Sequence, residues 1–193
     1  MNLPNKLTIF RICMVPFLMV FIVFDFGLGA WSDLIAAAFF AIASLTDMLD
    51  GKIARKYNLI TNFGKFLDPL ADKFMVMGAL ISMCLVAEND LYGKLLLLAT
   101  AVVIFRELAV TSIRLIAVNA SGVVIAANIF GKIKTCTQIA FVLVALVEPL
   151  FCELLSIDHV HIPSYVLLLA MTFMTVFSGV TYIKGYWKFI SDK

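Results

Sequence analysis

Four aspartates stand at regular intervals in the second quarter of the chain, and their spacing indicates what chemistry the protein can do. Asp47 and Asp50 are three positions apart, and Asp68 and Asp72 are four apart. Side chains separated by three or four positions share one face of a helix, so each pair of carboxylates points in one direction. A short basic segment between the pairs can make the two helices antiparallel neighbours. The sequence therefore predicts four carboxylates that converge across one groove.

Converging carboxylates repel one another, and in an apolar chain they need a cation among them. Hard oxygen ligands suit Mg²⁺, Mn²⁺ or Ca²⁺, and four carboxylates could hold two ions. Such a metal pair, ringed by lysine and arginine, is suited to phosphoryl transfer. Gly51 and Ala54 would let a ligand approach the helix backbone, and Arg55 could bind a phosphate. In the simpler alternative the aspartates only pair with neighbouring basic residues, but the paired spacing favours the metal site.

The composition predicts an all-α integral membrane protein. Hydrophobic residues make up 63% of the 193 residues and charged residues only 15%, where about a quarter is usual for soluble chains. With roughly 20 residues for each spanning helix, the length allows six transmembrane helices, and residues 1–193 form one membrane domain with no separate soluble unit. The predicted spans are 9–27, 31–56, 65–88, 91–117, 121–153 and 162–187.

The distribution of charge predicts how the spans are oriented. Nearly all of the 15 lysines and arginines lie in alternate connections or at adjoining helix ends, with Lys94 as the exception. By the positive-inside rule, both termini and the aspartate run lie on the cytoplasmic side of the cell membrane. Several spans become polar toward this side, so we expect the helices to line a cytoplasm-facing polar cavity. A net charge of +2 gives no reason to expect a nucleic-acid partner.

The aspartate run also resembles a known signature. Its pattern, Asp-x2-Asp-Gly-x2-Ala-Arg-x8-Gly-x3-Asp-x3-Asp, matches every fixed position of the CDP-alcohol phosphotransferase family. The resemblance implies a six-helix membrane fold, a homodimer, and transfer of a phosphoalcohol group from a CDP-linked alcohol to an acceptor hydroxyl, with release of CMP. By position, Asp47, Asp50 and Asp68 would bind two Mg²⁺ or Mn²⁺ ions. Asp72 would complete the metal site and take the proton from the attacking hydroxyl.

The same resemblance suggests where the donor binds. Gly51, Ala54 and Arg55 correspond to the surface that contacts the CDP group. Thr8 and Arg11 could reach the phosphates of the donor from the first helix, although helix capping and anchoring at the membrane surface explain these two residues equally well.

Segments 4–11, 106–114 and 131–138 are similar to those of bacterial family members that use CDP-diacylglycerol as donor and glycerol 3-phosphate as acceptor. An acceptor with a dianionic phosphate needs a compensating basic pocket near the aspartates. The candidate residues are Arg106, Arg114, Lys132 and Lys134. These residues could instead have structural roles: Arg106 could pair with Glu107, and the lysines could extend to lipid headgroups.

Two alternatives stay open on the sequence. The same chemistry could use another acceptor, such as inositol phosphate, serine or a phospholipid. A different class, a divalent-cation transporter, could use the aspartates as a translocation site, although no acidic residues continue from them through the membrane.

Overall fold

Six helices form the described part of the chain in a computed structural model of the protein. They are α1 (Leu3–Val23), α2 (Ala30–Lys56), α3 (Asn62–Val86), α4 (Leu91–Ser121), α5 (Ile129–Leu155) and α6 (Ile162–Ser191). The structure describes residues 3–24, 26–56, 62–121, 129–156 and 161–191, and it describes the side chains at most of these positions. No strand occurs within these ranges, which confirms the predicted all-α fold.

Long apolar helices, whose outward-facing side chains are also largely apolar, identify a multi-pass membrane protein. Many large apolar side chains are exposed, among them Leu85, Phe105 and Phe173, each at least 67% exposed. An apolar surface this extensive fits lipid rather than water. Within the described residues, five stretches are long and apolar enough to cross a membrane: Asn5–Val23, Ala30–Asp47, Leu91–Arg114, Ile129–Leu155 and Ile162–Gly185.

The remaining helix, α3, is more polar because it begins with part of the aspartate run. Its 25 residues extend over about 37 Å at 1.5 Å per residue, which exceeds the roughly 30 Å of the hydrocarbon core. Phe74, Ile81 and Leu85 are exposed, and their spacing places them along one face of α3. This apolar stripe fits the span predicted at 65–88 and brings the number of membrane-spanning helices to six.

The helix α1 packs against both α2 and α3, α5 packs against α2 and α6, and α4 packs against α6. A glycine allows a close approach between α1 and α3. A Cβ atom on Gly78 of α3 would lie 2.9 Å from Cγ1 of Val15 and 3.3 Å from Sδ of Met19. Small residues commonly let membrane helices approach in this way. The buried core beside this contact includes Leu18, Phe40, Met75, Leu80 and Phe141.

The approximate predicted bounds differ from the helix ends by a few residues, and the differences are largest at two starts. The first helix begins at Leu3 rather than at 9, because a proline at position 4 is tolerated in the first turn of a helix. The residue Ser121 belongs to α4, and α5 begins at Ile129, whereas the prediction began the fifth span at 121. The apolar sequence around this boundary suits either helix, so the hydrophobic pattern did not mark the end of α4.

A carboxylate of α5 caps α6 at the end of the bundle opposite to the aspartates. Glu148 is 8% exposed, and its Oε2 accepts hydrogen bonds from the Ser164 backbone nitrogen at 3.2 Å and from the Ser164 hydroxyl. The backbone N–H groups in the first turn of a helix have no partner within that helix. Glu148 satisfies one of them and also interacts favourably with the helix dipole, so it connects α5 to α6.

We predict that Glu148→Ala lowers the free energy of unfolding by about 1–2 kcal/mol, the usual cost of losing a cap together with a buried hydrogen bond. Thermal unfolding of the detergent-solubilised protein would measure the change as a lower midpoint. Glu153→Ala is the matched control, because Glu153 is exposed on the same helix. Equal midpoints for the two variants would contradict a capping role for Glu148.

Candidate active site

The first part of the site is an ion pair between α1 and α2. Nη1 of Arg11 lies 2.6 Å from Oδ1 of Asp47, with the Arg11 side chain fully buried and the Asp47 side chain 44% exposed. A guanidinium buried among apolar groups requires an acceptor such as a carboxylate. Arg11 therefore holds Asp47 in position, a role that the sequence did not suggest for it.

Charged residues of five helices interact around Asp72. This residue lies on α3 and is partly buried. Its electrostatic partners are Asp47 of α2, Arg11 of α1, Glu107 of α4 and Lys134 of α5. The first and last carboxylates of the aspartate run therefore lie in one polar region.

Several predicted site residues lie outside the described side chains: Asp50, Gly51, Ala54, Arg55 and Asp68. The structure describes only the backbone at these positions, which lie in α2 and α3. Their metal-binding and donor-binding roles stay predictions.

The carboxylates whose side chains the structure describes suit a hard divalent cation, but they do not form a complete metal site by themselves. Among the residues with described side chains, no group of three or more His, Cys, Asp or Glu residues is placed to hold a metal. Asp47 and Asp72 interact as like charges, and Asp47 has an exposed surface through which an ion could be reached. Carboxylate oxygens suit Mg²⁺ or Mn²⁺. Asp50 and Asp68 would have to complete the ligand set.

Glu107 is the centre of a buried charge cluster. Its Oε1 lies 3.0 Å from Nη1 of Arg106 and also accepts a hydrogen bond from Nζ of Lys134. The exposed fractions of the three side chains are only 11% for Arg106, 11% for Glu107 and 7% for Lys134. Two of the predicted acceptor-binding residues thus meet at one carboxylate, although they belong to different helices.

The cluster extends along α4 through Thr111. The Thr111 hydroxyl donates a hydrogen bond to the Glu107 backbone carbonyl over 2.6 Å and accepts one from Nζ of Lys73. Lys73, which follows Asp72 on α3, therefore connects α3 to α4. Its ammonium also interacts electrostatically with Glu107, Asp72 and Arg106.

The other two basic candidates lie apart from Glu107. Nη2 of Arg114 donates to the Tyr182 hydroxyl over 2.8 Å, and the Arg114 guanidinium lies 5.6 Å from the centre of the Tyr182 ring. Lys132 is exposed. Because Lys132 is two positions from Lys134, it points to a different side of α5. The structure therefore brings Arg106 and Lys134 together, but not Lys132.

Thr8, the predicted donor contact on α1, is fully buried. It lies three positions before Arg11, on the same face of α1. The structure therefore gives Thr8 no exposed surface that a donor could contact, and its proposed role stays a prediction.

Sequence reasoning missed two residues of this region. It considered Glu107 only as a partner of Arg106, although a glutamate between apolar segments that carry several cations could have indicated a shared partner. It assigned no role to Gln138, which is 1% exposed and lies one turn after Lys134 on α5. An amide in an apolar helix is an informative signal, because burying it requires hydrogen-bond partners.

Comparisons with known proteins cover nearly the whole chain. Residues 1–183 match the model of the CDP-alcohol phosphatidyltransferase family. A protein of Bacillus subtilis (strain 168), named CDP-diacylglycerol--glycerol-3-phosphate 3-phosphatidyltransferase, is 42% identical over 196 residues, covering 97% of this chain and 96% of that protein.

More distant relatives carry related names. A probable phosphatidylglycerophosphate synthase of Mycobacterium tuberculosis (strain ATCC 25618 / H37Rv) is 36% identical, covering 94% of this chain and 80% of that protein. A CDP-diacylglycerol--glycerol-3-phosphate 3-phosphatidyltransferase of Yersinia enterocolitica is 34% identical, covering 97% and 96%. Because the family model and these relatives match almost the full length of the chain, the chain belongs to the CDP-alcohol phosphatidyltransferase family and is a transferase.

Proposed function

We propose that this protein transfers the phosphatidyl group of CDP-diacylglycerol to sn-glycerol 3-phosphate, giving phosphatidylglycerol phosphate and CMP in phospholipid biosynthesis. The observation that carries the proposal is the position of Asp72 beside the buried cluster of Glu107, Lys134 and Arg106. A carboxylate that can accept a proton lies next to cations that can bind a phosphate. The names of the relatives that align over nearly the whole chain support the same donor and acceptor.

The family generally depends on a divalent cation. In our proposal Asp47, Asp50, Asp68 and Asp72 hold two Mg²⁺ or Mn²⁺ ions. When bound, these ions would neutralise the diphosphate of the donor and stabilise the departing CMP. Arg11 contributes by holding the carboxylate of Asp47 in position.

Asp72 acts as the general base in this proposal. Its carboxylate takes the proton of the 1-hydroxyl of glycerol 3-phosphate while that oxygen attacks the phosphorus that carries diacylglycerol. The new phosphorus–oxygen bond forms as the bond between this phosphorus and the CMP oxygen breaks. The products are phosphatidylglycerol phosphate and CMP, and the proton stays on Asp72 until solvent accepts it.

Arg106 and Lys134 are the better supported candidates for the acceptor phosphate. Both are largely removed from solvent, and in such surroundings a charged hydrogen bond to phosphate is strong. Glu107 neutralises part of their charge and orients them before the acceptor arrives. Arg114, which lies against Tyr182, would form the edge of this pocket, and the exposed Lys132 is the least supported of the four.

The donor would approach from lipid. Gly51, Ala54 and Arg55 are proposed to contact its CDP group, and Thr8 is the least supported contact because it is buried. The acyl chains would stay in the membrane, while the soluble acceptor enters a polar cavity open to the cytoplasm. We also propose that both termini face the cytoplasm and that the protein is a homodimer, as the charge distribution and the family resemblance suggest.

We predict that the purified wild-type protein releases CMP from CDP-diacylglycerol only when glycerol 3-phosphate and Mg²⁺ or Mn²⁺ are both present. Parallel reactions with inositol phosphate and with serine would test the alternative acceptors. Metal binding by folded protein without CMP release from any of these mixtures would argue against the enzyme and for the transporter alternative. Faster CMP release with another acceptor would support phosphatidyl transfer but identify a different acceptor as the substrate.

We predict that Asp72→Asn lowers kcat by about 10²–10⁴, the usual contribution of general-base catalysis, while binding of CDP-diacylglycerol partly survives. Initial rates of CMP release and a donor-binding assay would measure the two effects. Asp90→Asn provides the same chemical change at an exposed position in the connection between α3 and α4, where an asparagine can still accept the hydrogen bond from the Gly93 backbone nitrogen. Turnover like that of the wild type in Asp72→Asn would exclude Asp72 as the base.

We predict that Lys134→Met raises the KM for glycerol 3-phosphate at least about tenfold, because a charged hydrogen bond to phosphate contributes roughly 1.5–3 kcal/mol. The KM for CDP-diacylglycerol should change much less. Lys132→Met is the matched comparison on the same helix, and its effect should be smaller because Lys132 is exposed. The reverse order of effects would identify Lys132 as the phosphate ligand.

A further inference from the structure

A small cavity lies beside the proposed site, between α3, α4 and α5. Its volume is about 10 Å³, and its polar lining consists of Asp72, Lys73, Glu107, Lys134 and Gln138, with Val76, Met77 and Val103 as apolar walls. A cavity of roughly this volume holds a single water-sized group. The space is therefore sized for one oxygen atom, with polar side chains on several sides.

Gln138 places an unused hydrogen-bond donor at this cavity. Its side chain is 1% exposed, and Nε2 has no hydrogen-bond partner among the described residues. A buried donor without a partner is costly, and such groups are rare in folded proteins. Since Gln138 lines the cavity, a ligand oxygen bound there would supply the acceptor that the amide lacks.

The cavity is lined by groups that suit each functional group of glycerol 3-phosphate. Asp72, the proposed base for the 1-hydroxyl, and Lys134, the proposed ligand of the 3-phosphate, both line it. In the acceptor, the 2-hydroxyl lies between these two groups. We propose that Gln138 is a specificity-determining residue whose Nε2 donates a hydrogen bond to the 2-hydroxyl of the acceptor. This inference rests on the proposed function.

A hydroxyl suits this cavity because it both accepts and donates a hydrogen bond. Its oxygen would accept from Gln138, and its hydrogen could be donated to the carboxylate of Glu107 or Asp72. Val76 and Val103 supply apolar walls beside these polar groups. An acceptor without the 2-hydroxyl would lose its hydrogen bond to the Gln138 amide, and a water that took its place would have to be immobilised there.

The test compares glycerol 3-phosphate with 3-hydroxypropyl phosphate, which lacks only the 2-hydroxyl. For the wild type we expect kcat/KM to be about 10- to 100-fold higher with glycerol 3-phosphate, the usual effect of leaving one buried hydrogen-bond donor without its partner. Gln138→Met keeps the length of the side chain and removes the amide. In this variant kcat/KM should fall about 10- to 100-fold for glycerol 3-phosphate and change little for 3-hydroxypropyl phosphate, so the preference disappears.

Ser82→Ala is the matched control. The Ser82 hydroxyl is also buried without a partner in the described part of the chain, but Ser82 does not line this cavity. Its removal should leave both kcat/KM values unchanged. If Gln138→Met does not fold, Gln138→Leu removes the same amide with a different shape and carries the same expectation.

Two results would overturn the inference. A variant that loses activity equally with both acceptors would mean that Gln138 binds a structural water or acts only in packing. A variant that retains the wild-type preference would mean that the 2-hydroxyl binds elsewhere. Either result leaves the proposed function intact, since that function fails only if the wild type releases no CMP with glycerol 3-phosphate.

Discussion

The pairing of charged side chains inside an apolar bundle is the constraint on which the rest of this structure depends. A lone ionised group removed from water is so unfavourable that it must have a partner of opposite charge. Glu107 provides one partner for both Arg106 and Lys134, and Asp47 provides one for Arg11. The pairs Arg11–Asp47 and Lys134–Glu107 each join two helices, so the requirement for pairing also fixes how α1 meets α2 and brings side chains of α4 and α5 together.

The same constraint explains why the polar groups are separated along the bundle. The charged cluster occupies the end where α2 finishes and α3 begins, while Glu148 and Ser164 form a hydrogen-bonded cap near the opposite end. Between them the helices pack through apolar and small residues such as Leu18, Phe40 and Gly78. A bundle built this way can keep a wet, charged site at one membrane surface without placing unpaired charge in the lipid.

The sequence predicted features that depend on spacing within a helix, but not those that depend on how helices rotate against one another. Six helices and the meeting of Asp47 with Asp72 follow from periodicity and from a short connection. Lys132 and Lys134 must point to different sides of α5, but periodicity does not say which of them faces inward. The pairing of Lys134 with Glu107, 27 positions earlier, depends on packing between helices, which a single sequence does not encode locally.

Two of the buried polar side chains in the described residues, Ser82 and Gln138, show how a structural group can be distinguished from one that binds a substrate. Ser82 and Gln138 are both almost fully buried, and each has a polar atom without a hydrogen-bond partner in the described residues. A serine hydroxyl is small, and in a membrane helix it can turn toward a backbone carbonyl of the preceding turn. The glutamine amide is larger and has no comparable local partner, so its burial costs stability unless something enters the neighbouring cavity. Because Asp72 and Lys134 line the same cavity, the group that best offsets this cost is one carried by the substrate that they bind.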